Sequence, residues 1–503
     1  MRRFYKTVLV VTVFSVCEKF LGFLYRIYLS RTIGSEGMGV YQVALSVFAL
    51  IFTVVCSGTP ITVSRLMTKY RQQKRLDRVY KVISAGITFT VLVALLVTLA
   101  FYLLRDKVGL IFSDKRSIKV FYAVLPSLVF TSVYSVLRGV FWGNKDFLSY
   151  SVIELLEELC MIIVGIVLIE RATDLFSGIV GAGVAVLISY LFSFSLAIIL
   201  FFVKKNKLKN PVSEFRPLLA SALPITAMRT ANSLVSSLVS IILPIRLISS
   251  GLTSVEAMSS YGSMLGQAMP LLSIPSTLIG SFTLVLVPSL SENFYSGNFT
   301  ALKTDVEKAL KFTLTISCLF VPVFTVCGEE IGLLVFNNVD AGKYLSASAF
   351  LMIFMGTSSV TSSALNSMGK ENKTLIYFII ATAFMLISVL VLPPFIGIYS
   401  IVVGFALVYI ITTVLNLILL NKTIKQRIDY LKTIGLTVLS TIPPIIFGYL
   451  LENLLIWYLG NLLTLIIVAC LIVVFHFATY LVTGLLTVKD IKKRLPKFLK
   501  KTA

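Results

Sequence analysis

Residues 147–169 read FLSYSVIELLEELCMIIVGIVLI, an apolar stretch long enough to cross a bilayer that carries three glutamates within it. A charge at mid-membrane costs from a few to about ten kcal/mol or more, so such side chains usually line a polar cavity instead of facing lipid. Apolar stretches of similar length recur from Phe4 to Leu486, and several of them also contain arginine, lysine or glutamate. This pattern is typical of a membrane transporter.

The composition predicts an integral membrane protein. Of 503 residues, 57% are hydrophobic and 14% are charged, with a mean hydropathy of +0.94, which is more apolar surface than a soluble core can hide. The net charge of +22 would suggest nucleic acid as a partner of a soluble protein. Here the basic residues cluster beside the apolar stretches, as the positive-inside rule describes, so we expect a bilayer and no nucleic acid. The first apolar segment is too long for a signal peptide, and we expect it to be retained.

The fold class expected is all-α, with about fourteen membrane-spanning helices of about 20 apolar residues each. They are predicted near residues 5–29, 38–66, 80–104, 118–142, 147–169, 176–203, 217–245, 257–292, 305–327, 344–368, 374–396, 398–420, 432–451 and 457–484. Basic residues such as Arg71, Lys204 and Lys425 predict that both termini are cytoplasmic in the cell membrane. The basic loop between Arg105 and Lys119 falls on the predicted outer side, where it forms either an ordinary solvated surface or a phosphate-attracting vestibule.

Short motifs recur between the two halves of the chain. GLIF at 109–112 resembles GLLVF at 332–336, and WGNK at 142–145 loosely resembles MGKE at 368–371. Because each unit holds six helices, the copies share a topology and predict two pseudo-symmetric lobes around a central cavity. We therefore expect a first lobe at 1–208, a second at 209–424, and a C-terminal helix pair with a basic cytoplasmic tail at 425–503.

The charged residues inside the spans are the candidate site residues. Lys19, Gly22 and Arg26 share one face of the first helix, with Glu18 beside them. Either they form a cavity surface, or Lys19 pairs with Glu18 and Arg26 reaches the interface. The glutamates on the fifth helix form a stripe that either joins a structural network with Lys19, Arg26 or Arg138, or couples transport to a proton or cation. These glutamates are Glu154, Glu157 and Glu158.

Helices two, seven and eight contain a second group of candidates. Arg229 and four serines (Ser233, Ser236, Ser237 and Ser240) share one face of helix seven, which predicts either a water-lined wall or close helix packing. The Ser/Thr run from Thr357 to Ser363 carries no charge and indicates packing. Proline bends a helix, and a water-filled cavity tolerates the bend. The predicted hinge residues are Gly58, Pro60, Pro224, Pro244, Pro270 and Pro275.

Enzyme motifs are not found in the sequence. It contains no nucleophile elbow, Walker loop, zincin motif or Gly-rich dinucleotide loop. We therefore expect no catalytic activity, no cofactor and no metal, and an ATPase is excluded. An intramembrane glycosyltransferase or polymerase stays open, although such enzymes normally need larger extramembrane loops.

Several motifs match one known family. The run RIYLSRTIGSEGMGVYQ at 26–42, SGTP at 57–60, VSRL at 63–66 and LVPSLSE at 286–292 resemble the stage V sporulation protein B family of polysaccharide exporters. So do LPIT at 223–226, LPIRL at 243–247 and AMPLL at 268–272. The resemblance implies the fold shared by the multidrug, oligosaccharidyl-lipid and polysaccharide transporters. It also implies an undecaprenyl-diphosphate-linked oligosaccharide as substrate, either a lipid II-like molecule or another envelope or spore-cortex precursor.

Under this resemblance the basic residues would line the cavity and hold the diphosphate. They are Lys19, Arg26, Arg65, Arg138 and Arg229, with Ser64 in the cavity wall. Glu157 matches a glutamate common in the family, whereas Met161 stands where the family usually has arginine. This departure leaves the exact substrate and the coupling ion, a proton or Na⁺, open.

Three functions are therefore weighed. The first is a flippase for lipid-linked oligosaccharide that works by alternating access, together with envelope-synthesis enzymes as partners. The second is a cation-coupled multidrug antiporter of the same fold, which would need an acidic cavity. The third is a scaffold for envelope assembly that transports nothing.

Overall fold

The computed structural model describes residues 2–109, 111–424 and 430–483. Within these ranges every regular element is helical. Lys425, Arg427 and the basic tail from Lys489 onward, which were used to predict topology, lie outside the described residues. The first half of the described chain contains α1 (Arg2–Cys56), α2 (Thr59–Gln72), α3 (Leu76–Leu103), α4 (Arg105–Val108), α5 (Lys115–Val124), α6 (Ser127–Gly143), α7 (Phe147–Glu170), α8 (Leu175–Val203), a 3₁₀ turn (Val212–Glu214), α9 (Phe215–Ser249) and α10 (Ser254–Tyr261).

The second half begins with a π-helical segment. Its elements are the π-helix (Gly262–Ala268), α11 (Met269–Tyr295), α12 (Phe299–Val326), α13 (Gly328–Phe336), α14 (Val339–Ser348), α15 (Leu351–Ser367), α16 (Glu371–Val391), α17 (Pro393–Ile396), α18 (Tyr399–Ile424), α19 (Tyr430–Leu439) and α20 (Ile442–Val482). The π-helix, a form that often occurs at functional sites, was not predicted from the sequence.

Nine of the described helices are long and apolar enough to cross a membrane, or eleven if each of two bent pairs counts as one span. The predicted number of fourteen is not reached on this measure. One of the nine, Val13–Gln72, has 60 residues and is broken at Gly34, which is about the length of two spans. Helix α7 is not among the nine, because its glutamates make it too polar.

Two breaks shape the beginning of the chain. Gly34 has φ 66° and ψ −179°, a backbone conformation that glycine adopts without strain. Gly58 precedes α2, and Pro60 lies in its first turn, where the missing N–H of proline costs no hydrogen bond. The two breaks divide this 60-residue stretch into shorter helical segments.

The chain folds as two compact units, Met1–Gly262 and Ser263–Ala503. Helices α9 and α10 fall in the first unit, although the sequence repeat assigns them to the second lobe. The predicted boundaries at 208 and 424 stay predictions. Each unit contains one bent pair, α5 with α6 at 48° and α14 with α15 at 55°. The bend recurs where the sequence repeat predicts equivalent helices.

Small residues allow close helix crossings in the first unit. A side chain at Gly139 would collide with the backbone of Pro60, at 2.8 Å from its Cα. Similarly, a side chain at Gly262 would lie 2.6 Å from the backbone nitrogen of Gly39. Close approach through glycine is a common means of helix packing in membranes. It holds α6 on α2, and it holds the end of α10 on the second half of α1.

Candidate functional site

A cluster of charged side chains lies between α1, α6 and α7 within the first unit. Helix α1 supplies Glu18 and Arg26, and Glu18 interacts electrostatically with Glu154 and Arg138. We call the following six residues the charged cluster. They are Glu18, Arg26, Arg138, Glu154, Glu157 and Glu158.

Helix α1 faces α7 through a glycine. A Cβ atom at Gly22 would lie 2.8 Å from Oε1 of Glu158, so the missing side chain leaves space for this carboxylate. Arg26, one turn further on, interacts electrostatically with Glu158. The predicted face of Gly22 and Arg26 therefore contacts the glutamate stripe, whereas the side chain of Lys19 is exposed.

Arg138 is held by two neighbours. Its Nη1 atom lies 3.4 Å from Oε1 of Glu154, and the side chains are 24% and 19% exposed. Its guanidinium carbon also lies 5.3 Å from the centroid of the Trp142 ring, in a cation–π contact. The Nε atom of Arg138 is buried and has no hydrogen-bond partner among the described residues. This leaves one donor for a further anion.

Glu157 lies between its two acidic neighbours. It interacts electrostatically with Glu154, Glu158 and Arg138, and its Oε2 atom is buried without a hydrogen-bond partner among the described residues. A buried carboxylate oxygen in this state is costly unless it binds a proton or a cation. Ser193 also lies within hydrogen-bonding range of the Glu157 carboxylate, and the coupling role of Glu157 stays a prediction.

The formal charges of the cluster do not balance. Its four carboxylates face the two guanidinium groups of Arg26 and Arg138. A fully ionised cluster would leave two negative charges inside membrane-spanning helices, and the exposed ammonium of Lys19 beside Glu18 offsets only part of this charge. The predicted coupling to a proton or cation would offset this charge, and it stays a prediction.

The other predicted basic residues lie apart from the cluster. Arg65 is exposed and donates a hydrogen bond to Oγ of Ser221, which links α2 to α9. Arg229 is exposed on α9. The backbone of Ser64 packs against Gly143. A Cβ atom added at Gly143 would lie 3.3 Å from the carbonyl oxygen of Ser64. The diphosphate-binding roles of these residues stay predictions.

The four serines of the predicted seventh helix, which is α9 in the structure, divide into two pairs. Ser237 is buried and donates a hydrogen bond to the Ser46 carbonyl oxygen at 2.7 Å, so it fixes α9 on α1. Ser240 is also buried and bonds to the Ser236 carbonyl at 2.9 Å. Ser233 is half-buried and Ser236 is exposed. The packing alternative thus describes the buried pair, and a water-lined wall stays a prediction for the other.

The predicted hinge residues lie at helix breaks and inside helices. A side chain at Gly58 would contact Thr226 of α9, with a Cβ atom 3.1 Å from its backbone nitrogen, so this break is tightly packed. Pro224 and Pro244 lie inside α9. Pro270 lies in the first turn of α11, directly after the π-helix, and Pro275 follows within the same helix. Their movement during transport stays a prediction.

A polar network that the sequence did not reveal explains part of the basic loop. Arg116 pairs with Glu36 of α1 and with Asp114, at 2.7 Å for the second pair. Ser254 of α10 donates to Oδ2 of Asp114 at 3.1 Å. Burial by itself raises the pKa of Asp114, but hydrogen bonds from the Arg116 side chain and backbone hold it below its ordinary value. Arg116 is thus committed to carboxylates, and it links α5 to α1 through Glu36 while Asp114 links to α10 through Ser254.

Two aromatic residues of the site were also missed. Trp142 follows Arg138 by one helical turn on α6, and Tyr150 precedes Glu154 by one turn on α7. Residues four apart share a helix face, so this spacing is the signal that could have identified them.

Comparison with known proteins agrees with this architecture. Lipid II flippase MurJ in an inward closed conformation superposes with a TM-score of 0.71 at 17% identity, over 94% of this chain and 99% of that one. An inward-facing multidrug resistance transporter of the MATE family gives 0.67 at 15% identity, over 83% and 99%. The chain is thus a multi-pass α-helical membrane protein with the fold of these transporters.

The family follows from the sequence. The model of the polysaccharide biosynthesis protein family matches residues 4–294, and the chain belongs to this family. Stage V sporulation protein B of Bacillus subtilis (strain 168) is 25% identical over 441 residues, 84% of each chain. Lipid II flippase MurJ of the same organism is 22% identical over 342 residues, 62% of each chain. The resemblance drawn from the sequence motifs is confirmed.

Proposed function

We propose that this protein is a flippase that moves an undecaprenyl-diphosphate-linked oligosaccharide across the cell membrane by alternating access, for use in the cell envelope or spore cortex. The family and the relatives named a lipid II flippase and a sporulation protein support a lipid-linked substrate. The observation that carries the proposal is the charged cluster within membrane-spanning helices. Its guanidinium groups suit a diphosphate, and its surplus carboxylates suit coupling to an ion.

The cluster suggests how binding and coupling are linked. Arg138 is engaged by Glu154, and Arg26 interacts with Glu158. A diphosphate must compete with these carboxylates for the guanidinium groups. Protonation of Glu157 or Glu158, or binding of Na⁺, lowers the negative charge around the arginines and so favours the diphosphate. By the same linkage, loss of the ion weakens binding of the diphosphate.

We further propose that Arg26 and Arg229 hold the diphosphate between them, an arrangement that we call the clamp. Helices α1 and α9 belong to the same compact unit, and Arg229 is exposed. Two fixed arginines can grip one diphosphate through bidentate contacts, which lysine cannot reproduce.

Both termini are proposed to be cytoplasmic. We expect a cysteine-reactive reagent to label an Arg75→Cys variant from the cytoplasmic side only. Labelling of this variant from outside would contradict the topology.

A second candidate is a cation-coupled antiporter for small amphipathic cations. The charged cluster contains four carboxylates and two arginines. This surplus of carboxylates favours the antiporter, because an acidic cavity attracts cationic substrates. The two functions differ in the charge of what they carry. A scaffold without transport activity is the third outcome.

The test is reconstitution of the purified protein in proteoliposomes. A fluorescent undecaprenyl-diphosphate-linked sugar is supplied in one leaflet, and its appearance in the other is followed with and without a pH or Na⁺ gradient. Gradient-dependent movement of the diphosphate sugar supports the flippase. Efflux of a cationic dye without movement of the lipid supports the antiporter, and transport of neither supports the scaffold.

A further inference from the structure

Four side chains on α6 and α7 form a closed arrangement close to Glu157. Arg138 and Trp142 lie one turn apart on α6, and Tyr150 and Glu154 lie one turn apart on α7. Across the helix pair, Arg138 forms its 3.4 Å ion pair with Glu154. The rings of Trp142 and Tyr150 meet edge to face, with centroids 5.7 Å apart and planes at 76°. We call these four residues the α6–α7 square.

The square fixes the Arg138 guanidinium on two sides. The ring of Trp142 lies 5.3 Å from the guanidinium carbon, and Glu154 occupies one of the terminal nitrogens. The position of the Trp142 ring is fixed in turn by Tyr150. An arginine held by a ring face and a carboxylate loses little further side-chain freedom on binding an anion. Its buried Nε, which has no hydrogen-bond partner among the described residues, then points in a constant direction.

We propose that Trp142 is a positioning residue of the transport site. It holds Arg138 as the fixed counter-ion of Glu154, so that the exchangeable charge of the cluster is left to Glu157 and Glu158. This inference rests on the proposed function, because it assigns Trp142 a part in coupling. It differs from a packing role, since a residue that only fills space would not change the pH dependence of transport.

The first test measures transport against pH in Trp142→Leu and Trp142→Phe. Without the ring face, Arg138 is held less firmly beside the carboxylates of the charged cluster and stabilises their ionised form less. These carboxylates then bind protons more tightly, and the pH profile of transport moves to higher pH. A cation–π contact of this type corresponds to a shift of about 0.4 to 1.5 pH units. Phenylalanine keeps a ring face and should restore most of the wild-type profile. An unchanged profile in Trp142→Leu, or equal failure of both variants, would overturn the proposal.

The matched control is a second cation–π pair in the same unit. Lys119 lies 5.0 Å from the ring centroid of Phe176, and neither residue belongs to the charged cluster. Phe176→Leu removes an aromatic ring from beneath a cation, as Trp142→Leu does, and should leave the pH profile of transport unchanged.

The second test does not depend on transport. The chain has two tryptophans, so Trp457→Phe leaves Trp142 as the single fluorescent indole. Adding Glu154→Gln releases Arg138 from its ion pair and should shift the Trp142 emission maximum, whereas Glu170→Gln, at the exposed end of the same helix, should not. An unshifted emission maximum in Glu154→Gln would overturn the square even if the protein transports lipid-linked sugar. A shifted maximum in a protein that transports nothing would instead contradict the proposed function alone.

Discussion

The two units share a bent helix pair but differ in the chemistry beside it. In the first unit, α6 and α7 carry Arg138 and three glutamates. In the second, α15 and the neighbouring α18 carry an uncharged network, in which Nδ2 of Asn416 donates to Thr361 at 3.2 Å and to Ser362 at 2.9 Å. Helices α6, α15 and α18 count toward the membrane spans, and α7 is long enough to cross a membrane but is made too polar by its glutamates. Of the two networks, only the first can change its charge.

This difference indicates a division of work. An amide that donates to two hydroxyls can hold helices together at low cost, because neutral groups need no counter-ion. A group of ionised side chains in the same environment is expensive. The charged cluster therefore points to a role in transport where it lies, and the Asn416 network to a structural role. The described part of the second unit also contains an acidic group, in which Glu452 interacts with Glu329 and Glu330. The predictions that follow test this contrast.

The largest effect is expected for Glu157→Gln. The amide keeps the shape of the side chain but cannot carry a proton or a cation, so we expect gradient-driven transport to fall by about tenfold or more while the protein remains folded in the membrane. Glu170→Gln, at the exposed end of the same helix, should transport normally. Normal activity of Glu157→Gln would remove α7 from the mechanism.

The next effect concerns the basic residues and the diphosphate. Arg26→Ala and Arg229→Ala should each weaken binding of a lipid-linked diphosphate sugar, by about 10- to 150-fold for a lost charged hydrogen-bonding group. Lysine should rescue only partly, because it keeps the charge and loses the bidentate geometry. Binding to each purified variant is measured directly. Wild-type affinity in both alanine variants would contradict the clamp and show that these arginines only anchor helices.

The sequence predicted the charged cluster better than it predicted the network around it. The spacing of Glu154, Glu157 and Glu158 defines a helix face, and helical periodicity alone is enough to find it. Gly22 and Arg26 were assigned to one face for the same reason, and both contact or interact with Glu158. These relations lie within single helices.

Relations between distant segments could not be found in this way. Arg116 pairs with Glu36, which is 80 residues away in the sequence, and α9 belongs to the first unit. Such contacts depend on how the helices pack, so local sequence patterns do not predict them. The π-helix Gly262–Ala268 was not predicted either. Composition and periodicity thus predict the fold class and the candidate residues, and tertiary packing decides which of them meet.

A smaller effect is expected from one methyl group. In Gly22→Ala the Cβ atom would lie 2.8 Å from Glu158, so the flexible carboxylate must shift and we expect transport to fall a few-fold. Gly435→Ala in the second unit meets no atom within 4 Å. It should leave transport unchanged and stabilise its helix by up to about 1 kcal/mol. Equal transport by both variants would contradict the placement of Glu158 against α1.

The uncharged network should affect stability instead of transport. Asn416 is fully buried, and Asn416→Leu removes its two hydrogen bonds to α15. We expect a loss of about 1 to 3 kcal/mol in the free energy of unfolding, measured by thermal unfolding in detergent. Transport per folded molecule should remain within about twofold of wild type. A loss of transport at normal stability would show that the second unit also takes part in the chemistry.

The smallest effect concerns the network of Glu36, Asp114 and Arg116. Because the pKa of Asp114 is lowered in the folded protein, its ionised form contributes stability that is fully present above its unfolded value of about 3.9 and is lost as the pH falls through the lower folded value. The melting temperature of the wild type should therefore drop below about pH 4, and Asp114→Asn should drop less because it has no proton to gain. Asp106→Asn is the control, since the Asp106 side chain is 95% exposed, and it should follow the wild-type curve. If Asp114→Asn loses stability in acid as steeply as the wild type, the ion pair with Arg116 contributes nothing to holding α1, α5 and α10 together, and the contrast between the units rests on the charged cluster alone.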